Sequence, residues 1–76
     1  MRKFQRIKHP ERAIPLVKQL VELMNTEQLG TNDMCERAGI NRKTFDNWRT
    51  RRSPNVSAFE ACLNVLGYKL VIKPME

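Results

Sequence analysis

The chain has 76 residues, of which 41% are apolar, and fourteen Lys and Arg outnumber eight Asp and Glu to give a net charge of +6. This length and composition support one folded domain with a single modest core rather than a disordered chain. The charge favours a nucleic-acid partner or an anionic membrane surface, but the sequence lacks both the roughly 18 consecutive apolar residues of a spanning helix and the apolar run of a signal peptide. We therefore expect a cytoplasmic protein without a membrane partner.

The first helix is predicted to begin at Pro15, after a basic N-terminal segment of residues 1–14. Within that segment "HPERAI" is compatible with one turn, but Pro15 cannot lie inside a helix without the loss of a hydrogen bond. From Pro15 onward, apolar residues repeat at intervals of three and four and predict one buried stripe: Leu16, Val17, Leu20, Val21, Leu23 and Met24. Gly30 marks the end of this helix or of the loop after it.

A second helix of barely two turns is predicted to follow Gly30. The residues suited to capping its start are Thr31, Asn32 and Asp33. Its apolar residues are Met34, Cys35 and Ala38. Gly39 then breaks the pattern, which indicates a tight turn.

A third helix is predicted over residues 41–49, with Asn41 offering its side-chain oxygen to the helix start. Phe45 and Trp48, three residues apart, form its buried side. Polar residues occupy the rest of its circumference: Arg42, Lys43, Asp46, Asn47 and Arg49. A helix that enters the DNA major groove requires this division, because the core must hold one side rigid while the other reaches base edges.

The C-terminal part of the chain predicts a fourth helix and then a strand. "SAFE" at residues 57–60 fits a capping box, in which Ser57 and Glu60 satisfy each other's amides. The apolar stripe that follows contains Phe59, Cys62, Leu63 and Leu66, and it ends at Gly67. In the last segment, 68–76, "YKLVIK" alternates apolar residues with lysines, which predicts a β-strand.

From Thr31 onward the sequence resembles the helix-turn-helix unit of the lambda repressor and Cro-like DNA-binding proteins. With Thr31 as the first position, apolar residues fall at the fourth, eighth, tenth, fifteenth and eighteenth: Met34, Ala38, Ile40, Phe45 and Trp48. Gly39 falls at the ninth, where the family turn has its glycine. Cys35 stands where the family usually has Ala, and "RTRRSP" replaces the Gly that often precedes the proline. The resemblance covers residues 15–67 and implies a mainly α domain of four to five helices, with the strand at its end.

The resemblance implies DNA contacts for particular side chains. Base contacts are expected from Arg42, Lys43 and Asn47, since Arg and Lys donate to guanine and Asn pairs with adenine. Phosphate contacts are expected from Thr31, Asn41, Thr44, Arg49, Arg51 and Arg52. Two alternatives stay open: the polar residues only keep an exposed helix solvated, or Phe45 and Trp48 stack on the bases of single-stranded RNA.

Cysteine and histidine usage argues against a metal or catalytic centre. Cys35 and Cys62 lie in apolar patterns, as reduced core thiols do, rather than as a disulfide or a reactive thiol. His9 is the single histidine, and no Cys or His pair has the spacing of metal ligands. Since neither a phosphate-binding loop nor a nucleophile paired with a base is recognisable, we expect no enzyme, cofactor or metal.

These features predict a transcriptional repressor, of prokaryotic or phage type, that binds a palindromic operator as a homodimer. The strand is expected to pair with its copy in a second subunit through Tyr68, Leu70 and Ile72, or else with residues 3–8 of its own chain. One alternative is an antitoxin that binds a partner toxin and regulates its own operon. A non-specific architectural DNA binder is another, and a further regulatory protein partner is left open.

Overall fold

The computed structural model describes residues 4–50 and 52–75, and within these ranges the chain forms four helices. They are α1 (Pro15–Thr26), α2 (Thr31–Ala38), α3 (Arg42–Trp48) and α4 (Val56–Val65). The expectation of a mainly α domain is confirmed. None of these helices is long and apolar enough to cross a bilayer, a finding that applies to the described residues.

Local side-chain chemistry explains where the helices begin. Pro15 is the first residue of α1, where its missing N–H costs nothing. The start of α3 is capped as expected, with Asn41 Oδ1 accepting from the Lys43 amide at 2.8 Å. At α2 the residue before the helix is Gly30, and Thr31 already has helical geometry, so the expected side-chain cap at residues 31–33 is wrong.

The predicted capping box at residues 57–60 is also wrong. α4 begins at Val56, two residues earlier than the box requires, so Ser57 lies in the first turn instead of before it. Asn55 caps the helix, and its Oδ1 accepts from the amides of Ser57 and Ala58 at 2.8 and 3.3 Å. An asparagine oxygen that already serves two amides leaves no role for a reciprocal box.

Three of the helices end in the same hydrogen-bonded arrangement, the Schellman motif. A residue just beyond each helix has a positive φ: Gln28 at 55°, Gly39 at 74° and Gly67 at 88°. The next amide donates to a carbonyl of the last turn: Leu29 to Met24 at 2.9 Å, Ile40 to Cys35 at 3.0 Å and Tyr68 to Leu63 at 2.9 Å. These bonds satisfy carbonyls that the helix itself leaves unpaired.

One core joins all four helices and the loops beside α1. Its buried residues are Ala13, Val17, Leu20, Met24, Leu29, Met34, Cys35, Phe45, Trp48, Phe59, Cys62 and Leu63. The ring centroids of Phe45 and Trp48 are 5.6 Å apart, and those of Trp48 and Phe59 are 6.2 Å apart. This aromatic row packs α3 against α4, as the predicted apolar stripes of the two helices require. In α1, Leu16 was predicted to belong to the buried stripe but is half exposed.

The predicted C-terminal strand is not found in residues 68–75, all of which the structure describes as irregular. Leu70 packs against the core of its own chain, while Ile72 is fully exposed. Pairing with residues 3–8 is not found among the described residues either, because the backbone of Ile7 bonds to Asn25 instead. An extended segment without a neighbour has no ladder to join, so it forms no strand by itself.

Candidate nucleic-acid interface

The turn between α2 and α3 determines how α3 is presented. Gly39 has φ 74° and ψ 31°, and the Ile40 amide donates to the Cys35 carbonyl, so α2 ends and α3 begins within three residues. α3 is then anchored by Phe45 and Trp48, whose side chains are 0% and 3% exposed. Because both rings are buried, stacking on single-stranded bases would require α3 to leave the core, and that alternative is wrong for this fold.

The three residues predicted to contact bases all lie in α3, and Lys43 and Asn47, four residues apart, share one side of it. Arg42, Lys43 and Asn47 are all exposed. Arg42 is held in place, since its Nε donates to Asp46 Oδ1 at 3.2 Å and its Nη1 donates to Asn32 Oδ1 in α2. These two bonds give the guanidinium a defined position before any ligand binds. Nη2 takes part in neither bond.

The residues predicted to contact phosphates surround this face. Thr31 is the half-buried first residue of α2, Thr44 is exposed on α3, and Arg52 is exposed in the loop before α4. The side-chain oxygen of Asn41 is engaged in capping α3. Arg49 follows α3 and is half-buried, and Arg51 lies outside the described residues.

An unexpected neighbour of α3 is the N-terminal segment, defined here as residues 4–8. Asn25, at the end of α1, binds the backbone of Ile7, and Arg49 Nη2 donates to the Lys8 carbonyl oxygen at 3.5 Å. Arg6 and Lys8 are thereby brought to the same side of the molecule as Arg42 and Arg49. Sequence reasoning placed neither residue in the site; the high density of positive charge near the N-terminus was the one signal.

A groove of about 630 Å³ lies between the N-terminal segment and the beginnings of α2 and α3. Its charged lining residues are Arg6, Lys8, Asp33, Arg42 and Arg49. A second groove of about 490 Å³ lies beside it and also contains the carboxylates of Glu11 and Asp46. Each groove is lined by four cationic side chains, three of which they share, and the first groove has one carboxylate where the second has two, so the excess of positive charge is larger in the first.

No protein-family model matches the chain, and comparisons with curated proteins and with solved structures gave no significant match. The resemblance to helix-turn-helix proteins, drawn from the spacing of residues 31–48, stays a prediction.

The two cysteines are buried in the core and unpaired, as predicted. Burial raises the pKa of Cys62 from 9.0 to about 11, with a smaller contribution from nearby Cys35. Burial also raises the pKa of Cys35, although the positive charge of Arg42 opposes this shift. Both thiols therefore stay protonated at neutral pH and are poor nucleophiles. Among the described residues, no cluster of His, Cys, Asp and Glu is suited to a metal ion.

Proposed function

We propose that this protein is a sequence-specific double-stranded DNA-binding regulator that represses transcription by occupying an operator. The observation that carries the proposal is the division of α3: Phe45 and Trp48 are buried, while Arg42, Lys43 and Asn47 are exposed. A short helix anchored in this way enters the major groove without distortion of the domain. The proposed activity is binding, without catalysis or a cofactor.

The chemistry of the outer face suits base reading. An arginine guanidinium donates two parallel bonds to O6 and N7 of guanine, and an asparagine amide pairs with N6 and N7 of adenine. Arg42 is held by Asp46 and Asn32, so less side-chain freedom is lost when it meets a base. Phosphate contacts from Thr31, Arg52 and their neighbours would set the register but carry no sequence information.

The C-terminal segment supports a homodimer. Val71, Ile72 and Met75 are large apolar residues that are more than half exposed, in a segment that bonds to no strand within the described chain. A second copy related by a two-fold axis would pair with this segment antiparallel, satisfy its backbone amides and carbonyls, and cover Ile72 between the two copies. Two recognition helices would then reach successive major grooves about 34 Å apart on a palindromic operator.

The same exposed segment also favours a second candidate function, that of an antitoxin. A partner toxin of complementary apolar surface would cover Val71 and Ile72 in place of a second copy. In that case DNA binding through α3 would serve to regulate the protein's own operon. Coexpression with the product of an adjacent small gene distinguishes the two, because an antitoxin forms a stable heterocomplex and a simple repressor does not.

Selection of bound sequences from random duplex DNA tests the proposal. We expect a palindromic motif, and we expect Asn47→Ala to weaken binding to that motif by about 1–3 kcal/mol with little effect on random duplex. Gln19→Ala, an equally exposed polar change on α1, is the control and should alter neither affinity. Equal affinity of the wild-type protein for all duplexes would instead identify a non-specific architectural binder.

A further inference from the structure

The N-terminal segment, residues 4–8, is held at a defined place although it lies outside every helix. Asn25 Oδ1 accepts from the Ile7 amide at 2.7 Å, and Asn25 Nδ2 donates to the Ile7 carbonyl at 3.1 Å. One residue further on, the Lys8 carbonyl accepts from Arg49. These contacts place the exposed side chains of Arg6 and Lys8 beside α2 and α3 instead of leaving them on a free terminus.

The groove between this segment and the two helices has an unbalanced charge. Four cationic side chains line it, from Arg6, Lys8, Arg42 and Arg49, and Asp33 is the one carboxylate among its described lining residues. Cations that converge on one concave surface repel each other and raise the local positive potential, because the surrounding low-dielectric walls focus the field. A continuous anion laid along the groove would relieve that repulsion.

We propose that this groove binds the phosphodiester backbone of a DNA strand, with Arg6 and Lys8 supplying phosphate contacts from the N-terminal segment. Arg42 lines the groove and is also an exposed residue of α3, so a strand in the groove would pass beside the base pairs that α3 reads. The inference rests on the proposed function and extends it. It adds a DNA-binding element that precedes α1, outside residues 15–67.

Counterion release gives a direct measure of these contacts. Each phosphate contact contributes about −0.9 to the slope of log K against log salt concentration, so Arg6→Gln with Lys8→Gln should make the slope shallower by about 1.8. Between 50 and 200 mM salt, the wild-type protein should lose about tenfold more affinity than this double variant. The change in slope should be the same for selected and random duplexes, since phosphates carry no sequence information.

A charge-matched control separates groove contacts from general electrostatics. Lys18→Gln with Arg37→Gln removes the same net charge from α1 and α2 at positions that do not line the groove, and the substitutions are chemically the same as in the groove variant. We expect this variant to retain the wild-type slope. If the two double variants have the same slope, the groove proposal is overturned.

The base-reading role of α3 is tested by a different measurement, the ratio of affinities for selected and random duplexes. Lys43 and Asn47 lie outside the groove, and Lys43→Ala or Asn47→Ala should reduce the preference for selected over random duplex. Arg6→Gln with Lys8→Gln should leave that preference unchanged. If these α3 variants keep the full preference while the N-terminal variant still makes the slope shallower, the groove is supported and the role of α3 is wrong. A wild-type protein that binds no duplex at 50 mM salt overturns both.

Discussion

Asn25 holds Ile7 by both ends of its side-chain amide, as a neighbouring strand would, with N···O distances of 2.7 and 3.1 Å. Asn25 is itself only 8% exposed, and it is the one polar residue buried in the described part of the chain. A buried amide costs free energy unless it is hydrogen-bonded, so the contact both satisfies Asn25 and fastens the N-terminal segment to α1.

Asn25→Ala is therefore expected to destabilise the protein by about 1–3 kcal/mol, because two hydrogen bonds are lost and the Ile7 amide loses its partner. Urea unfolding gives the free energy, and hydrogen exchange at Ile7 shows whether the N-terminal segment is released. Thr26→Ala is the control, since its hydroxyl bonds only to Glu22 within α1. Unchanged protection of the Ile7 amide in Asn25→Ala would contradict this account.

Gln28 and Gly39 occupy equivalent positions in two Schellman motifs but are opposite in conformational preference. Gln28 has φ 55°, which costs an L-residue about 1 kcal/mol, whereas Gly39 has φ 74° without such a penalty. Gln28→Gly should stabilise the protein by about 0.5–1 kcal/mol, since the exposed Gln28 side chain packs little. Gly39→Ala should destabilise it by about 1 kcal/mol through the backbone alone, as a methyl there meets no atom within 4 Å. Thermal denaturation tests whether the two changes have opposite signs.

The Arg42–Asp46 pair is expected to govern specificity more than stability. Both side chains are about half exposed, so Asp46→Ala should change unfolding free energy by less than about 1 kcal/mol. Loss of a carboxylate raises affinity for every duplex, but Arg42 also loses a partner that orients it. We expect the ratio of selected to random binding to fall about fivefold, measured by fluorescence anisotropy. Glu36→Ala, with the same charge change on α2, should leave that ratio intact.

The dimer interface is expected to depend on Ile72, which is fully exposed in the single chain. Ile72→Asp should therefore leave the stability of the monomer within about 0.5 kcal/mol of wild type but dissociate the dimer. Light scattering at micromolar concentration measures the mass. Val56→Asp makes a similar change at another exposed apolar residue, in α4, and should keep the dimer. A monomeric wild-type protein, or a dimeric Ile72→Asp, would show that the C-terminal segment is not the interface.

Cys35 lies in the core where α2 meets its neighbours, and its size is expected to matter more than its sulfur. Cys35→Ala should fold and bind DNA at a cost of about 1 kcal/mol, because only one buried atom is removed. Cys35→Phe should cost about 1–3 kcal/mol or more through overpacking. Chemical denaturation and duplex binding of both variants check this. Loss of DNA binding in a folded Cys35→Ala would point to a role for the thiol itself.

The sequence by itself determined that four helices form and that α3 has a buried apolar side and an exposed polar side. Both features depend on residues close to one another in the chain. Pro15 sets the start of α1, and Gly39 supplies the left-handed turn after α2. The spacing of Phe45 and Trp48 on a helical period places both rings on one side and the polar residues on the other. Each of these effects acts within one or two helical turns, so local pattern is enough to reveal it.

Tertiary structure alone decided where the N-terminal segment lies and which partners Arg42 has. Ile7 and Asn25 are 18 positions apart, and Arg42 and Asn32 are 10 apart, so their contacts exist only after α1, α2 and α3 have packed. A polar residue at the end of a helix is normally solvated, and nothing local marks Asn25 as buried. Residues 68–73 have the alternation typical of a strand, but they form no strand in the single chain. Such a segment becomes a strand only when another strand satisfies its amides and carbonyls.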